Sequence, residues 1–172
     1  IAKSGIGGHV FRLKDNLRNT RQIHEFAVGR SGRGATAKAL DIDGIEPAVH
    51  AVKNAAAAVT HISQLLADLD TVHRISLGNV VILSNRSIEN TPFASKKIGD
   101  YSCIATGEGK NKNAVRFRTV HEFKGLESEI VILYIQNTAA EQADPERYLS
   151  AETMYVACTR ATCLMYVIEM KG

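Results

Sequence analysis

Three short runs of aliphatic and β-branched residues punctuate the chain: Val80-Val-Ile-Leu83, Ile130-Val-Ile-Leu-Tyr-Ile135 and Leu164-Met-Tyr-Val-Ile168. Continuous apolar runs of this length predict strands buried on both faces. From Val115 to Val120 the pattern changes to alternation. Val115, Phe117 and Thr119 interleave with Arg116, Arg118 and Val120, which predicts a strand with one more polar face. Pro47 to Val52 fits a further short strand, and Phe11 to Arg18 an extended segment. Helical spacing takes over elsewhere. Asn54 is placed to cap a helix carrying Ala56, Val59, Ile62, Leu66 and Leu69, and Ser150 to cap one running through Met154, Ala157, Cys158 and Ala161. Asn19, with Gln22 three residues later, resembles a capping box ahead of Ile23, Phe26 and Ala27, and Gly29 suits the stop. A helix is also expected from Thr91 to Tyr101, and polar loops at Gly29–Gly34 and Gly107–Asn113. Strands without a polar face, alternating with helices, predict an α/β fold: a mostly parallel sheet with helices on both sides.

Composition narrows the picture only a little. The 172 residues fit one compact domain, and 45% hydrophobic with 23% charged residues is ordinary for a globular chain. A net charge of +3 is compatible with nucleic-acid contact without arguing for it. The cysteines, Cys103, Cys158 and Cys163, are odd in number and form no CxxC pair, so neither a disulfide framework nor a metal site is indicated. Free thiols in the cytoplasm are the expectation. No apolar run is long enough to span a membrane, and no membrane partner is expected. The first residue is Ile1 rather than Met, and residues 1–172 are expected to be a fragment of a longer protein.

Two glycine-rich stretches invite a nucleotide-binding reading and do not support it. Gly32-Arg-Gly34-Ala-Thr-Ala37 matches GxGxxA but follows an expected helix, where a dinucleotide fingerprint follows a strand. Gly107-Glu-Gly-Lys110 looks like a P-loop, yet Ile104 stands where the first Walker A glycine is needed and Asn111 where Ser or Thr is needed. By this reading the chain has no self-sufficient nucleoside-triphosphate site.

Three other segments carry a positive signal. Thr119-Val-His-Glu-Phe-Lys-Gly-Leu-Glu127 resembles motif V of the UvrD/Rep-like superfamily 1 DNA helicases, with the core Thr-x-His-x-x-Lys-Gly-Leu-Glu. Met154-Tyr-Val-Ala-Cys-Thr-Arg-Ala161 resembles their motif VI, and Asn16-Leu-Arg-Asn-Thr20 their motif IV. Each of the first two precedes an apolar strand, and the order along the chain fits. The resemblance spans nearly the whole chain and is weakest from Gly29 to Val80. It implies the second RecA-like domain of such a helicase, a three-layer α/β sandwich. It also implies ATP and Mg²⁺ as cofactors, with the metal ligands in the absent half. The implied partners are single-stranded DNA and the first RecA-like domain of the same parent chain, and the implied unwinding direction is 3′ to 5′. The parent could also be a RecB- or AddA-like helicase-nuclease or a nuclease-fused helicase, or the domain a non-catalytic RecA-like nucleic-acid-binding module.

The resemblance assigns roles residue by residue. Arg160, from motif VI, would reach the γ-phosphate, with Arg18 of motif IV as its counterpart. Guanidinium suits this task because its charge is permanent and its donors form a planar fork. An arginine finger of this kind is worth about 10³–10⁵ in rate. The plain alternative for Arg160 is a cation satisfying the carbonyls at a helix end. Glu127 would accept from ribose hydroxyls, or else be a solvated loop carboxylate. Gly125, lacking a Cβ, would let the backbone approach the nucleotide. Lys124 would shape the same loop, or simply face solvent. Thr119 and His121 would contact the DNA backbone, with a hydrogen-bonded structural role as the alternative for His121. Asn85 and Arg86, after the strand ending at Leu83, would face DNA too, or form a plain polar loop. Leu17 stands where relatives carry the motif IV tyrosine that stacks on adenine. The large helical insertion common in relatives is absent or was removed between Gly29 and Val80.

Overall fold

A computed structural model of the protein describes residues 18–32, 41–105, 114–137 and 149–171. The apolar runs occupy the middle of a seven-stranded sheet. In chain order the elements are α1 (Arg21–Ser31), β1 (Ala48–Val52), α2 (Ala55–Ala67), β2 (Val80–Ser84), β3 (Lys97–Ile98), β4 (Tyr101–Ile104), β5 (Ala114–Thr119), β6 (Ser128–Asn137), α3 (Ala151–Cys158) and β7 (Ala161–Lys171). The spatial order is β1-β7-β6-β2-β5-β4-β3, and every pairing is parallel except the short antiparallel β3–β4 contact.

Burial on both faces explains why the central strands are continuously apolar. All five residues of β2 are buried, and alternate ones serve opposite layers. Val80 and Ile82 pack under α2 with Ala58, Ile62 and Leu66, together with Phe117, Ile132 and Tyr134. Val81 and Leu83 pack on the other face with Ile23 and Ala27 of α1, Ala157 and Cys158 of α3, and Phe123. The result is the expected α/β three-layer sandwich of RecA-like type. At roughly 1.5–3 kcal/mol for each fully buried aliphatic side chain, these two layers dominate the favourable side of folding.

Two caps form as expected. Asn54 accepts a hydrogen bond from the Ala57 amide at 2.9 Å, and Ser150 Oγ accepts from the Thr153 amide at 3.2 Å. Other expectations are corrected. Thr20, not Asn19, holds the N-cap position of the first helix, with no side-chain capping bond, while the Asn19 amide donates to partners across the fold. That helix passes Gly29 and ends at Gly32, whose φ of 61° is the left-handed C-terminal conformation that glycine adopts without strain. The extra turn is held by Ser31 Oγ on Val28 O and by an ion pair between Arg30 and Glu169. No helix forms over 91–101. A 3-10 turn at Ile88–Asn90, further turns and the β3–β4 reversal take its place, with Phe93 and Ile98 buried. Ala161 belongs to β7 rather than to the helix before it, since pairing with Ser128 captures it for the sheet. Ala56 is exposed, and Ala58 takes the core position instead. The extended segment expected over Phe11–Arg18 lies almost wholly outside the described residues, as do Leu17 and the Gly107–Asn113 loop.

Candidate functional site

In a parallel sheet all amino ends share one edge and all carboxyl ends the other. That geometry sorts seven of the nine candidate residues into two sets, with Lys124 and Gly125 on the turn between them. Ser84 ends β2 beside Thr119, which ends β5. Asn85, Arg86, Thr119 and His121 therefore leave the carboxyl edge side by side. Ser84 Oγ accepts from the Arg86 amide at 3.2 Å, and Ser84 O accepts from the Val120 amide at 3.0 Å, tying the two loops together. Glu127 and Arg160 immediately precede the first residues of β6 and β7, Ser128 and Ala161, which are paired at the amino edge. With about 3.3 Å per strand residue, the edges stand roughly 15 Å apart. The Thr119–Glu127 segment bridges that distance.

This bridging segment is a series of tight turns built from its own residues. Glu122 Oε2 accepts from the Thr119 amide at 2.9 Å while Thr119 Oγ1 accepts from the Glu122 amide at 3.2 Å. The pair is a capping box of the Thr-x-x-Glu kind, present in the sequence but not recognised there as a structural device. Phe123 is buried against the α1–α3 layer and anchors the turn, whereas His121, Lys124 and Glu127 stay exposed. Gly125 has φ of 85°, a value a side chain resists, and nothing lies within 4 Å of where its Cβ would be. Beneath the turn, Arg116 donates to Ser128 Oγ at 3.1 Å, with its guanidinium carbon 5.9 Å from the Phe123 ring centre.

At the amino edge the three segments singled out by their motifs come together. Arg18 Nε lies 2.8 Å from Glu127 Oε2, both side chains being about half exposed. Arg160 is mostly buried. Its Nε donates to Val156 O and its Nη1 to Leu126 O, each at 3.0 Å, and its Nη2 to Thr159 Oγ1 at 3.4 Å. These bonds use three of the five N–H donors of a guanidinium. Arg160 thus caps α3 and at the same time clasps the turn that carries Glu127. Burial, followed by the like charge of Arg18, pulls its pKa below the usual arginine range, while Glu127 and Tyr155 push it back up. Arg18 and Glu127 are thus paired, with Arg160 near enough to feel both charges. Next to them a polar cavity of about 210 Å³ is lined by Asn79, Arg116, Glu127, Ser128 and Thr162, among others.

Asn19 is the residue whose role the sequence pattern concealed. Its buried side-chain amide donates to Thr159 O at 3.1 Å and also to Ala161 O, straddling Arg160. It fixes the start of α1, and with it the neighbouring Arg18, against the segment that carries Arg160. Asn19→Ala leaves those carbonyls unpaired and is expected to cost about 1–3 kcal/mol. A thermal melt of the variant checks this, and an unchanged Tm would remove the latch.

Cysteine chemistry is not supported at the buried positions, since burial pushes the thiols of Cys103 and Cys158 up to about 12. Cys163 is exposed, and all three are free. Among the described residues no group of three or more His, Cys, Asp or Glu side chains is placed to hold a metal ion, and no helix is long and apolar enough to cross a membrane.

The fold is similar to that of the C-terminal domain of a possible DNA helicase from Lactobacillus plantarum WCFS1, with a TM-score of 0.64 over 90% of this chain and 88% of that one, at 16% identity. No curated protein sequence matches. The sequence pattern of the viral superfamily 1 RNA helicase core domain matches residues 47–169, which include both segments with motif V and motif VI resemblance. Superfamily 1 helicase character is thereby supported without singling out the UvrD/Rep branch, and the chain belongs to the viral superfamily 1 RNA helicase core domain family.

Proposed function

We propose that the chain is the second RecA-like half of an ATP-driven helicase of UvrD/Rep-like type. In this reading it forms one wall of the ATP cleft at its amino edge and part of the single-stranded DNA track at its carboxyl edge. The observation that carries the reading is the convergence of Arg18, Glu127 and Arg160 from three separate segments. The donor set fits a nucleoside triphosphate: two guanidinium groups for phosphate oxygens, a carboxylate for ribose hydroxyls, and at Gly125 open space where a side chain would stand. ATP supplies the transferable phosphoryl group, and Mg²⁺ would be held by ligands on the first RecA-like domain of the parent chain. Arg160 and Arg18 would steady negative charge that grows as the phosphoryl bond breaks, and Glu127 would orient the sugar. Opening and closing of the cleft would then shift the carboxyl edge along the strand, in the 3′ to 5′ direction, in the cytoplasm.

The family's description names RNA, and backbone contacts from Thr119, His121, Asn85 and Arg86 would suit either nucleic acid. Binding of matched DNA and RNA oligonucleotides to the same preparation separates the two.

Two outcomes test the half-enzyme reading. The 172-residue chain alone should show no DNA-stimulated ATP turnover, because the backbone cradle and lysine of a Walker A motif are missing. It should bind single strands weakly and lose affinity with salt. If about two or three phosphates are neutralised, log K against log salt should fall with a slope of about −1.5 to −2. Turnover by the chain alone, or tight binding insensitive to salt, would overturn the reading.

A further inference from the structure

The polar cavity at the amino edge has a cation in its wall whose bonding is incomplete. Arg116 comes from β5, is half-buried, and gives Nη2 to Ser128 Oγ at 3.1 Å, while its Nε is buried with no partner. A guanidinium carries five N–H donors, so this one reaches the cavity with donors unused. Among the described residues no carboxylate forms an ion pair with it. Burial, and then the like charge of Arg118, pulls its pKa below the usual arginine range. A cation in such a place is costly unless something supplies acceptors.

The opposite wall is acidic. Glu127 uses Oε2 on Arg18, and Glu129 uses Oε2 to accept from Asn79 Nδ2 at 3.1 Å, which leaves each carboxylate a second oxygen. Ser128 braces the edge between them. Its Oγ donates to Asn79 O at 2.7 Å, and its carbonyl accepts from Thr162 Oγ1 at 3.5 Å. Two carboxylates oppose an anion here, and no aromatic side chain lines the cavity to stack a base. Guanidinium donors across from carboxylate acceptors suit hydroxyl groups, which accept from the first and donate to the second. The cavity, at about 210 Å³, exceeds the roughly 150 Å³ that holds a benzene-sized ring, so a pentose fits.

We propose that this cavity seats the sugar of the bound nucleotide and that Arg116 makes the site select ribose over sugars lacking hydroxyls. The proposal rests on the nucleotide reading of the amino edge, in which Glu127 already meets the sugar. Arg116 adds a donor to a hydroxyl oxygen. A site built to bond a hydroxyl rejects the analogue without it, because its own polar groups are then left unpaired.

The test is an amide chemical-shift titration of the full 172-residue chain, carried to millimolar ligand, with ATP, 2′,3′-dideoxy-ATP and tripolyphosphate. ATP is expected to bind at least about fivefold tighter than the dideoxy nucleotide. The two nucleotides carry the same charge, so their ratio is blind to general electrostatics. Arg116→Met should bring the ratio towards one. Thr162→Phe blocks the cavity from β7 and serves as the second variant if Arg116→Met lowers the melting temperature sharply. Equal binding of ATP and its dideoxy analogue by the unaltered chain overturns the sugar seat and leaves the phosphate-binding arginines standing. A preference for ATP that survives in folded Arg116→Met, or in the folded blocking variant, places the hydroxyl contacts elsewhere and also overturns it. No binding of either nucleotide or of tripolyphosphate removes the nucleotide wall itself, and the seat with it.

Discussion

Arg160→Ala, in the enzyme that unites this half with its Walker A partner, is expected to lower kcat by about 10² or more while nucleotide affinity stays within roughly tenfold. The guanidinium would meet the γ-phosphate only when the two halves close. Its charge therefore counts for more in the transition state than in the ground state. The structure adds a second consequence. Arg160 also donates to Val156 O and Leu126 O, so its loss takes that donor from Leu126 O and leaves Val156 O with Thr159 Oγ1 at the junction of α3 and the Gly125 turn. A drop of about 1–3 kcal/mol in stability should accompany the loss of rate. Melting temperature alone thus cannot distinguish a purely structural arginine from a catalytic one. Turnover per folded molecule can. Arg160→Lys sharpens the test, because an ammonium keeps the charge but cannot span Val156 O, Leu126 O and a phosphate as a planar fork does. It too should lower kcat. Near-normal turnover in folded Arg160→Ala would confine this residue to capping α3 and would withdraw the catalytic part of the proposal.

Much of the sheet was legible because its strands are buried on both faces, and such strands have little choice of sequence. Val80–Leu83, Ile130–Ile135 and Leu164–Ile168 all fall within strands. The caps at Asn54 and Ser150 were legible because their hydrogen bonds are local. Failures came where a distant partner overrode a local signal. Asn19 is a good N-cap residue, yet its amide serves carbonyls some 140 residues away in the chain. Ala161 continues a helical spacing, but the long β6–β7 ladder claims it. Over 91–101 the expected helix gives way to turns and a reversal, for which Gly99-Asp100 was the clue. The site divides in the same way. Motif resemblance found Arg18, Glu127 and Arg160, whereas the ion pair and the clasp that join them depend on strand order, which no short segment encodes. The separation of most of the candidates between two sheet edges likewise follows from topology.

Phe93→Ala is expected to be the most destabilising change in the layer beneath α2, at about 3–5 kcal/mol. Phe93 is fully buried, 5.1 Å from the Tyr134 ring in an edge-to-face arrangement and 6.0 Å from Phe117. Truncation leaves a cavity between rings held by β5 and β6, and central strands in a parallel sheet cannot collapse to fill it. Part of the loss is the aromatic geometry itself, about 0.5–1.5 kcal/mol for each such pair. For a chain of this length the fall in Tm should be about 6–20 °C. Phe93→Leu retains most of the volume and should cost clearly less. The effect should also have a functional edge. Phe93 anchors the segment that follows Asn85 and Arg86, so loosening it should weaken single-strand binding beyond what the unfolded fraction explains. By contrast, Glu127→Gln breaks only a half-exposed ion pair with Arg18, and pairs of that kind contribute about 0–1 kcal/mol. Urea unfolding of the three variants, with equal slopes against denaturant, ranks these effects on one scale. A cost below about 1 kcal/mol for Phe93→Ala would mean that the segment from Thr91 to Ile98 does not close the core as described, and that the carboxyl-edge loops are not held by it.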